Sequence, residues 1–410
     1  MSKVVPGFRA GRGTPRHHSG ECRRAGSGPW AAALLACGFA LGCSSGEQPD
    51  DVGGVAGSNV GGLPATSGSS QGGGAPAGAS PGGSPTGGSG AASTGGGSGA
   101  GGGGSGGVGG SAQGGGGAGG AGPLPKFVGN ITTGNSVDPS GRKFATYWDQ
   151  ITPENAGKWG SVQRSATAAL DWTKLDPIYD YAQKNNIIFK QHVFVWGSQQ
   201  PSGTLTEADV KKWMSEFCKR YPKTALIDVV NEPPPHTEPS YADAIGGGTD
   251  GDWKWIVNAF TWAREACPNA ILILNDYNNI EYADQNQHFI DIAKKVKAAG
   301  APLDALGAQA HDLGQVSTNT MKMLLTKMHE DTGLPVYVTE YDLGTSDDAQ
   351  QLAKYQEHMG FFLDTDWIPG ITLWGWIDGQ TWKQNTGLIK GGQPRPAMTW
   401  LMQELGRPAP

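Results

Sequence analysis

Two glutamates carry the first chemical signal in this chain. Glu232 closes the run Asp228-Val229-Val230-Asn231-Glu232, and Glu340 sits within Val338-Thr339-Glu340-Tyr341-Asp342. Apolar runs of this length read as strands buried on both faces. A carboxylate at the C-terminal end of such a strand lies where parallel α/β barrels keep their chemistry. Two carboxyl groups about 5–5.5 Å apart across a sugar ring can cleave a glycosidic bond with retention. One protonates the leaving oxygen, and the other attacks the anomeric carbon. A salt bridge on the barrel rim would account for either glutamate alone. Two of them, each in its own patterned run, favour the catalytic reading. Asn231 could hydrogen-bond the sugar 2-hydroxyl. His311, at the end of Gly307-Ala308-Gln309-Ala310-His311, could donate to Glu340 and be oriented by Asp342.

The elements that would position these groups follow from hydrophobic pattern. Short apolar runs at 127–131, 147–151, 188–195, 226–230, 271–275, 305–309, 336–339 and 371–374 read as strands. Amphipathic stretches lie between them, at 176–185, 207–220, 254–266, 284–299, 318–332 and 349–363. Eight such alternations predict an α/β fold of the (β/α)₈ TIM barrel type, with a doubly wound open sheet as the alternative. The polar residues after the strands decide between the two. Asn155, Lys158, His192, Trp196, Glu232, Asn275, Asp276, His311, Glu340 and Trp374 follow at least six different runs. Only a closed barrel gathers all of those tips around one opening.

Composition separates the barrel from what precedes it. Of the 77 residues at 46–122, 35 are Gly, none is aromatic, and none is Lys or Arg. Such a segment cannot bury enough apolar surface to offset its ordering entropy, so 44–123 reads as a disordered linker. Its Gly-rich matches to phosphate loops follow no strand and carry no nucleotide site. Residues 1–43 read as an export signal. A basic stretch leads into an apolar run at 30–41, too short to span a bilayer as a helix. That run ends Ala40-Leu41-Gly42-Cys43-Ser44, which resembles a bacterial lipoprotein signal with Cys43 as the lipidated residue. The protein is therefore expected outside the cytoplasm, lipid-anchored at the cell surface or secreted.

From 126 onward, 25 Lys and Arg face 33 Asp and Glu. That balance argues against nucleic acid as a partner. At roughly 280 residues the segment 124–410 can bury a large core as one domain, expected to be monomeric. Cys218 and Cys267 fall near the ends of consecutive predicted helices and could pair in an exported protein. No histidine pair in the domain has helical zinc-ligand spacing, so neither a catalytic metal nor another cofactor is expected.

Seven motifs in order resemble glycoside hydrolase family 10, the endo-1,4-β-xylanase family. They are Thr152-Pro153-Glu154-Asn155-Ala156-Gly157-Lys158-Trp159, His192-Val193-Phe194-Val195-Trp196-Gly197-Ser198-Gln199, 228–232, Asn275-Asp276-Tyr277-Asn278, 307–311, 338–342, and the aromatic end Leu373-Trp374-Gly375-Trp376 with Thr381-Trp382. The resemblance implies Glu232 as acid/base and Glu340 as nucleophile. It implies sugar contacts from Glu154, Asn155, Lys158, His192, Trp196, Gln199, Asn231, Tyr277, Gln309, His311, Trp374 and Trp382, with Asp342 in support. The residue types suit that task, since amides and charges pair with hydroxyls while Trp faces cover pyranose rings. Trp148, Trp213 and Trp262 are left to packing. The chain departs from the family at Gly197, where His is frequent, at Gly203 in place of Trp, at Ile227, and at Lys383 in place of Arg. The substrate implied is xylan or a related plant cell-wall polysaccharide. A β-1,4-glucanase is the alternative enzyme. A non-catalytic glycan-binding lipoprotein is the alternative outside enzymes, and it has no need of two strand-end glutamates.

Overall fold

The computed structural model describes residues 124–410, apart from 135, 249–250 and 312. The export signal, Cys43 and the linker lie outside the described residues. Eight parallel strands close into a barrel in sequence order, β1 pairing with both β2 and β8. They are β1 Phe127–Ile131, β2 Gln150–Thr152, β3 Ile188–Trp196, β4 Leu226–Asn231, β5 Ile271–Asp276, β6 Ala305–Ala308, β7 Val336–Tyr341 and β8 Gly370–Leu373. Nearly every strand residue is buried, as the unbroken apolar runs require of a sheet covered on both faces.

Two short helices, α1 Phe144–Tyr147 and α2 Trp159–Val162, flank β2. Longer ones follow as α3 Asp176–Asn185, α4 Glu207–Arg220, α5 Lys254–Ala266, α6 Ala283–Ala298, α7 Thr318–Thr332, α8 Asp348–Asp364 and α9 Pro396–Glu404. Helix α4 shows why these segments form and where they start. Thr206 caps it with a reciprocal Asp209 capping box. Val210, Trp213, Met214, Phe217 and Cys218 then recur at helical spacing and face the sheet. Trp148, Trp213 and Trp262 are all core residues.

The sequence reading departs from the structure at β2 and at two helices. The run 147–151 begins too early, because 144–147 is a helical turn and β2 starts at Gln150. There Phe144 packs edge-on against Tyr181, and Tyr147 lies tilted against Trp376, so tertiary contacts override a strand-like composition. Helices α2 and α9 have no counterpart in the sequence reading. Cys218 and Cys267 are joined in a disulfide with their Cα atoms 5.5 Å apart, linking the ends of α4 and α5.

Two cores hold the barrel. A large one fills the layer between sheet and helices. A small one, Phe127, Leu226, Ile271, Ile273, Ala305 and Tyr337, forms a separate cluster on the strands. Strand pairing slips by one residue in three places: between His192 and Val195 of β3, between Asp228 and Val230 of β4, and between Val338 and Tyr341 of β7. Each slip is a bulge, and bulges re-aim side chains next to active sites.

Candidate active site

Glu232, Gln309, Glu340 and Trp374 stand at or just beyond the C-terminal ends of their strands, and neighbouring strands fix them there. The Glu232 backbone N–H donates to the Asn275 carbonyl at 2.8 Å, Gln309 N–H to Asp276 at 2.9 Å, and Trp374 N–H to Tyr341 at 2.9 Å. Glu340 lies inside the β7 bulge, where Thr339 and Glu340 oppose one residue of β8.

Glu340 is 4 % exposed and strongly held. Asn275 Nδ2 donates to its Oε1 at 2.9 Å, and His311 Nε2 lies 3.3 Å from its Oε2. His311 Nδ1 lies 3.0 Å from Asp342 Oδ2, which also accepts the Trp382 indole N–H at 2.6 Å. Burial pulls His311 down, yet the charge and hydrogen bond of Asp342, with Glu340, outweigh it and raise the imidazole to about 10. It is therefore an imidazolium between two carboxylates. Burial would likewise raise Glu340. The charge of His192, the hydrogen bond and charge of His311, and Lys190 outweigh it and bring the carboxyl down to about 2. Glu340 is thus an ionised, immobilised carboxylate, as a nucleophile must be.

Glu232 is held by different partners. The Trp196 indole donates to Oε2 at 2.8 Å, and the Gln309 amide donates to Oε1 at 3.0 Å. The backbone of Glu232 is left-handed, at φ 51°. The two glutamates are connected through amides. Gln309 Nε2 lies 3.3 Å from Asn231 Oδ1, which also accepts from Asn275 Nδ2 at 2.7 Å. Thr339 Oγ1 donates to Asn275 Oδ1 at 2.6 Å. Asn231 Nδ2 is buried and finds no hydrogen-bond partner among the described residues. A buried donor without a partner costs about 1–3 kcal/mol.

The remaining predicted residues fall on two walls. Lys158 is buried, bonds Asn155 Oδ1 at 2.9 Å, and its ammonium sits 5.0 Å from the Trp196 ring centre. Burial lowers its pKa, while Glu340, Glu154 and Glu232 oppose that change. Burial raises Glu154, with Lys158 opposing. Lys158, Trp196 and Gln199 line one small hollow. His192 packs edge-on to Trp374 with ring centres 5.2 Å apart, and Trp374 also faces His311 at 6.3 Å. Trp382 is 47 % exposed and meets His311 edge-on at 4.7 Å. Arg395 steadies its loop by donating to the carbonyls of Asn385, Gly387 and Thr345. Tyr277 stands at the tip of β5.

Sequence reasoning gave no role to several groups that the fold brings in. Asn275 is one. The Lys190–Asp228 ion pair is another, at 2.9 Å and almost fully buried beneath His192, whose Nδ1 lies 3.0 Å from Asp228 Oδ2. His192, Asp228 and Glu340 bring ligand-type atoms within 4.8 Å of one another. The Lys190 ammonium already supplies the positive charge that this trio calls for. His236 is a third, paired with Asp276. A polar residue inside an apolar strand run was the available signal for Lys190 and Asp228. His236 offers none in sequence.

This arrangement pairs an ionised carboxylate with a second, differently held carboxyl, flanked by Trp rings and polar side chains able to bond hydroxyls. That equipment suits glycosidic cleavage. Comparison with known proteins agrees. Residues 126–404 match the family described as glycosyl hydrolase family 10. Endo-1,4-beta-xylanase B of Cellvibrio japonicus is 45% identical over 285 residues, covering 68% of this chain and 45% of that protein. Endo-1,4-beta-xylanase B of Thermotoga neapolitana is 30% identical over 262 residues, covering 59% of this chain and 73% of that protein. The chain thus spans less than half the length of its Cellvibrio relative. The solved structure of a GH10 protein from Paenibacillus barcinonensis shares the fold, with a TM-score of 0.61 at 23% identity over 69% of this chain and 96% of that one. The chain belongs to glycosyl hydrolase family 10.

Proposed function

We propose that this protein is a retaining endo-1,4-β-xylanase acting by double displacement. The observation that carries the reading is the contrast between the two glutamates. Glu340 is buried and held ionised beside the His311 imidazolium, so it attacks the anomeric carbon. Glu232 is held by two neutral donors, Trp196 and Gln309, and protonates the leaving oxygen. It then activates water for the second step, as microscopic reversibility requires. Asn231 Nδ2 is the donor for the sugar 2-hydroxyl. Lys158, Glu154, Asn155, His192 and Gln199 bind further hydroxyls, while Trp374 and Trp382 cover ring faces. Xylan is supported as substrate by the two relatives above, both endo-1,4-beta-xylanases.

The test uses residues 124–410 on xylan, cellulose and mixed-linkage glucan, with early products followed by proton NMR. Xylan hydrolysis with the β-anomer first supports the reading. Glucan preference, or the α-anomer first, overturns it. Glu232→Ala should retain activity on an aryl xyloside with a good leaving group, and azide should speed it, giving a β-xylosyl azide. Glu340→Ala should lose nearly all activity on every substrate.

We further propose that the enzyme is an exported monomer anchored through lipid on Cys43, with 44–123 as its tether. The Cys218–Cys267 disulfide supports an oxidising compartment. Full-length protein should take up a palmitate analogue and partition with membranes, and Cys43→Ala should not. A soluble, unlabelled wild type would reject the anchor.

A further inference from the structure

After Glu232 the chain runs Pro233-Pro234-Pro235-His236 and turns back on itself, with Pro234 and His236 against the tip of β5 and α6. Thr237 seats this loop, donating to the Glu232 carbonyl from its backbone N at 3.1 Å and its Oγ1 at 2.8 Å. The loop also lies against Gly197. A Cβ there would come within 2.7 Å of the Thr237 Cβ and 2.8 Å of the Glu238 backbone. Only glycine lets the loop descend so far.

The descent brings His236 onto the tip of β5. Its Nδ1 lies 2.7 Å from Asp276 Oδ1, and its Nε2 lies 2.8 Å from Gln285 Oε1 on α6. Two oxygen partners are both satisfied only when both ring nitrogens carry protons. Burial opposes that cation and also lifts the Asp276 carboxyl to about 7, but the hydrogen bond and charge of Asp276, with Gln285, outweigh burial at the ring and raise the imidazole. Its ring stacks on Tyr277, with centres 3.8 Å apart and planes 17° apart. Asp276 Oδ1 also accepts the Tyr277 backbone N–H at 2.9 Å, so one carboxylate fixes both members of the stack. Tyr277 remains half-buried. Burial first, then the nearby charges of Glu232 and Asp276, push its phenol up to about 12. One face of the ring is thus filled by protein while the residue keeps an open side beside the acid/base glutamate.

We propose that His236 is a positioning residue for the leaving-group side of the cleft, holding the Tyr277 ring as the platform for the sugar that departs. The proposal rests on Glu232 being the acid/base. A tyrosine at a loop tip has two rotatable bonds, and stacking on a pyranose requires one fixed face. His236 removes that freedom without touching the sugar on the other side of the cut.

The test compares two substrates in the intact protein. Xylotetraose places sugar on the leaving-group side, whereas dinitrophenyl β-xylobioside carries no sugar there. His236→Ala should lower kcat/KM for xylotetraose about tenfold, mostly through KM, and change dinitrophenyl xylobioside less than about twofold. His236→Asn, which retains a donor toward Asp276 but lacks the ring, should give the same split. His236→Phe, which restores a stacking face, should recover most of the xylotetraose rate. Equal losses on both substrates, no loss on either, or an Asn variant like the wild type would overturn the proposal. A wild type inert toward both substrates would instead refute the xylanase reading itself.

Discussion

Asn275 holds Glu340: its Nδ2 donates to the carboxylate Oε1 at 2.9 Å. The same nitrogen donates to Asn231 Oδ1 at 2.7 Å, and Thr339 fixes the amide oxygen. The amide can approach so closely because Gly307 faces it. A Cβ at 307 would lie 2.3 Å from Asn275 Oδ1. One neutral side chain thus couples Glu340, the proposed nucleophile, to Asn231, the amide proposed to meet the substrate.

Replacing Asn275 with Ala should therefore lower kcat on xylan by about 10- to 100-fold, the worth of a hydrogen bond to a charged group. KM should change far less, since Asn275 meets no sugar directly. Steady-state kinetics on xylotetraose checks this. An unchanged kcat would show that His311 alone suffices to hold Glu340.

Trp196→Phe retains an aromatic ring beneath the Lys158 ammonium but removes the indole donor 2.8 Å from Glu232. In the proposed double displacement both chemical steps use Glu232, so xylan turnover should fall by about tenfold or more. Loss of affinity with unaltered kcat would instead make Trp196 a sugar contact only.

Stability should depend on pH through His311 and Glu340. His311 lies above its ordinary 6.5, at about 10, so its contribution is complete below pH 6.5 and lost as pH rises through 10. Glu340 lies below its ordinary 4.5, at about 2, so its contribution is complete above pH 4.5 and lost as pH falls through 2. Melting temperature should be highest between pH 4.5 and 6.5. His311→Asn should flatten the alkaline decline. An alkaline limb that survives in this variant would assign it to other groups.

The disulfide closes a loop with a sequence separation of 49. Loop-closure entropy for that length is about 4 kcal/mol, an upper figure for what Cys218→Ser removes. Denaturant unfolding should show the loss while activity at 25 °C is retained. Thiol titration of the unfolded, unreduced domain should find no free Cys at 218 and 267.

The barrel was legible because its strands are unbroken apolar runs and its helices repeat at helical spacing. Glu232 and Glu340 were legible because each polar group interrupts or ends such a run. Where aromatic residues serve a helical turn, as at Phe144 and Tyr147, the same composition misled. His236 lay beyond reach of sequence. It follows three prolines with no periodicity, and its partners Asp276 and Gln285 are 40 and 49 residues away. Asn275 stood out as a strand tip, yet its clamp on Glu340 spans 65 residues and needs the closed barrel.

The three slips in strand register have a cost that selection on heat resistance would expose. Deleting Thr339 would restore regular pairing with β8 and spare the sheet an unpaired position. It would also re-aim the Glu340 carboxylate. Variants chosen solely for endurance would drift toward ironed-out strands and arrive at durable, inert barrels. Any campaign to toughen this enzyme has to score turnover in every round.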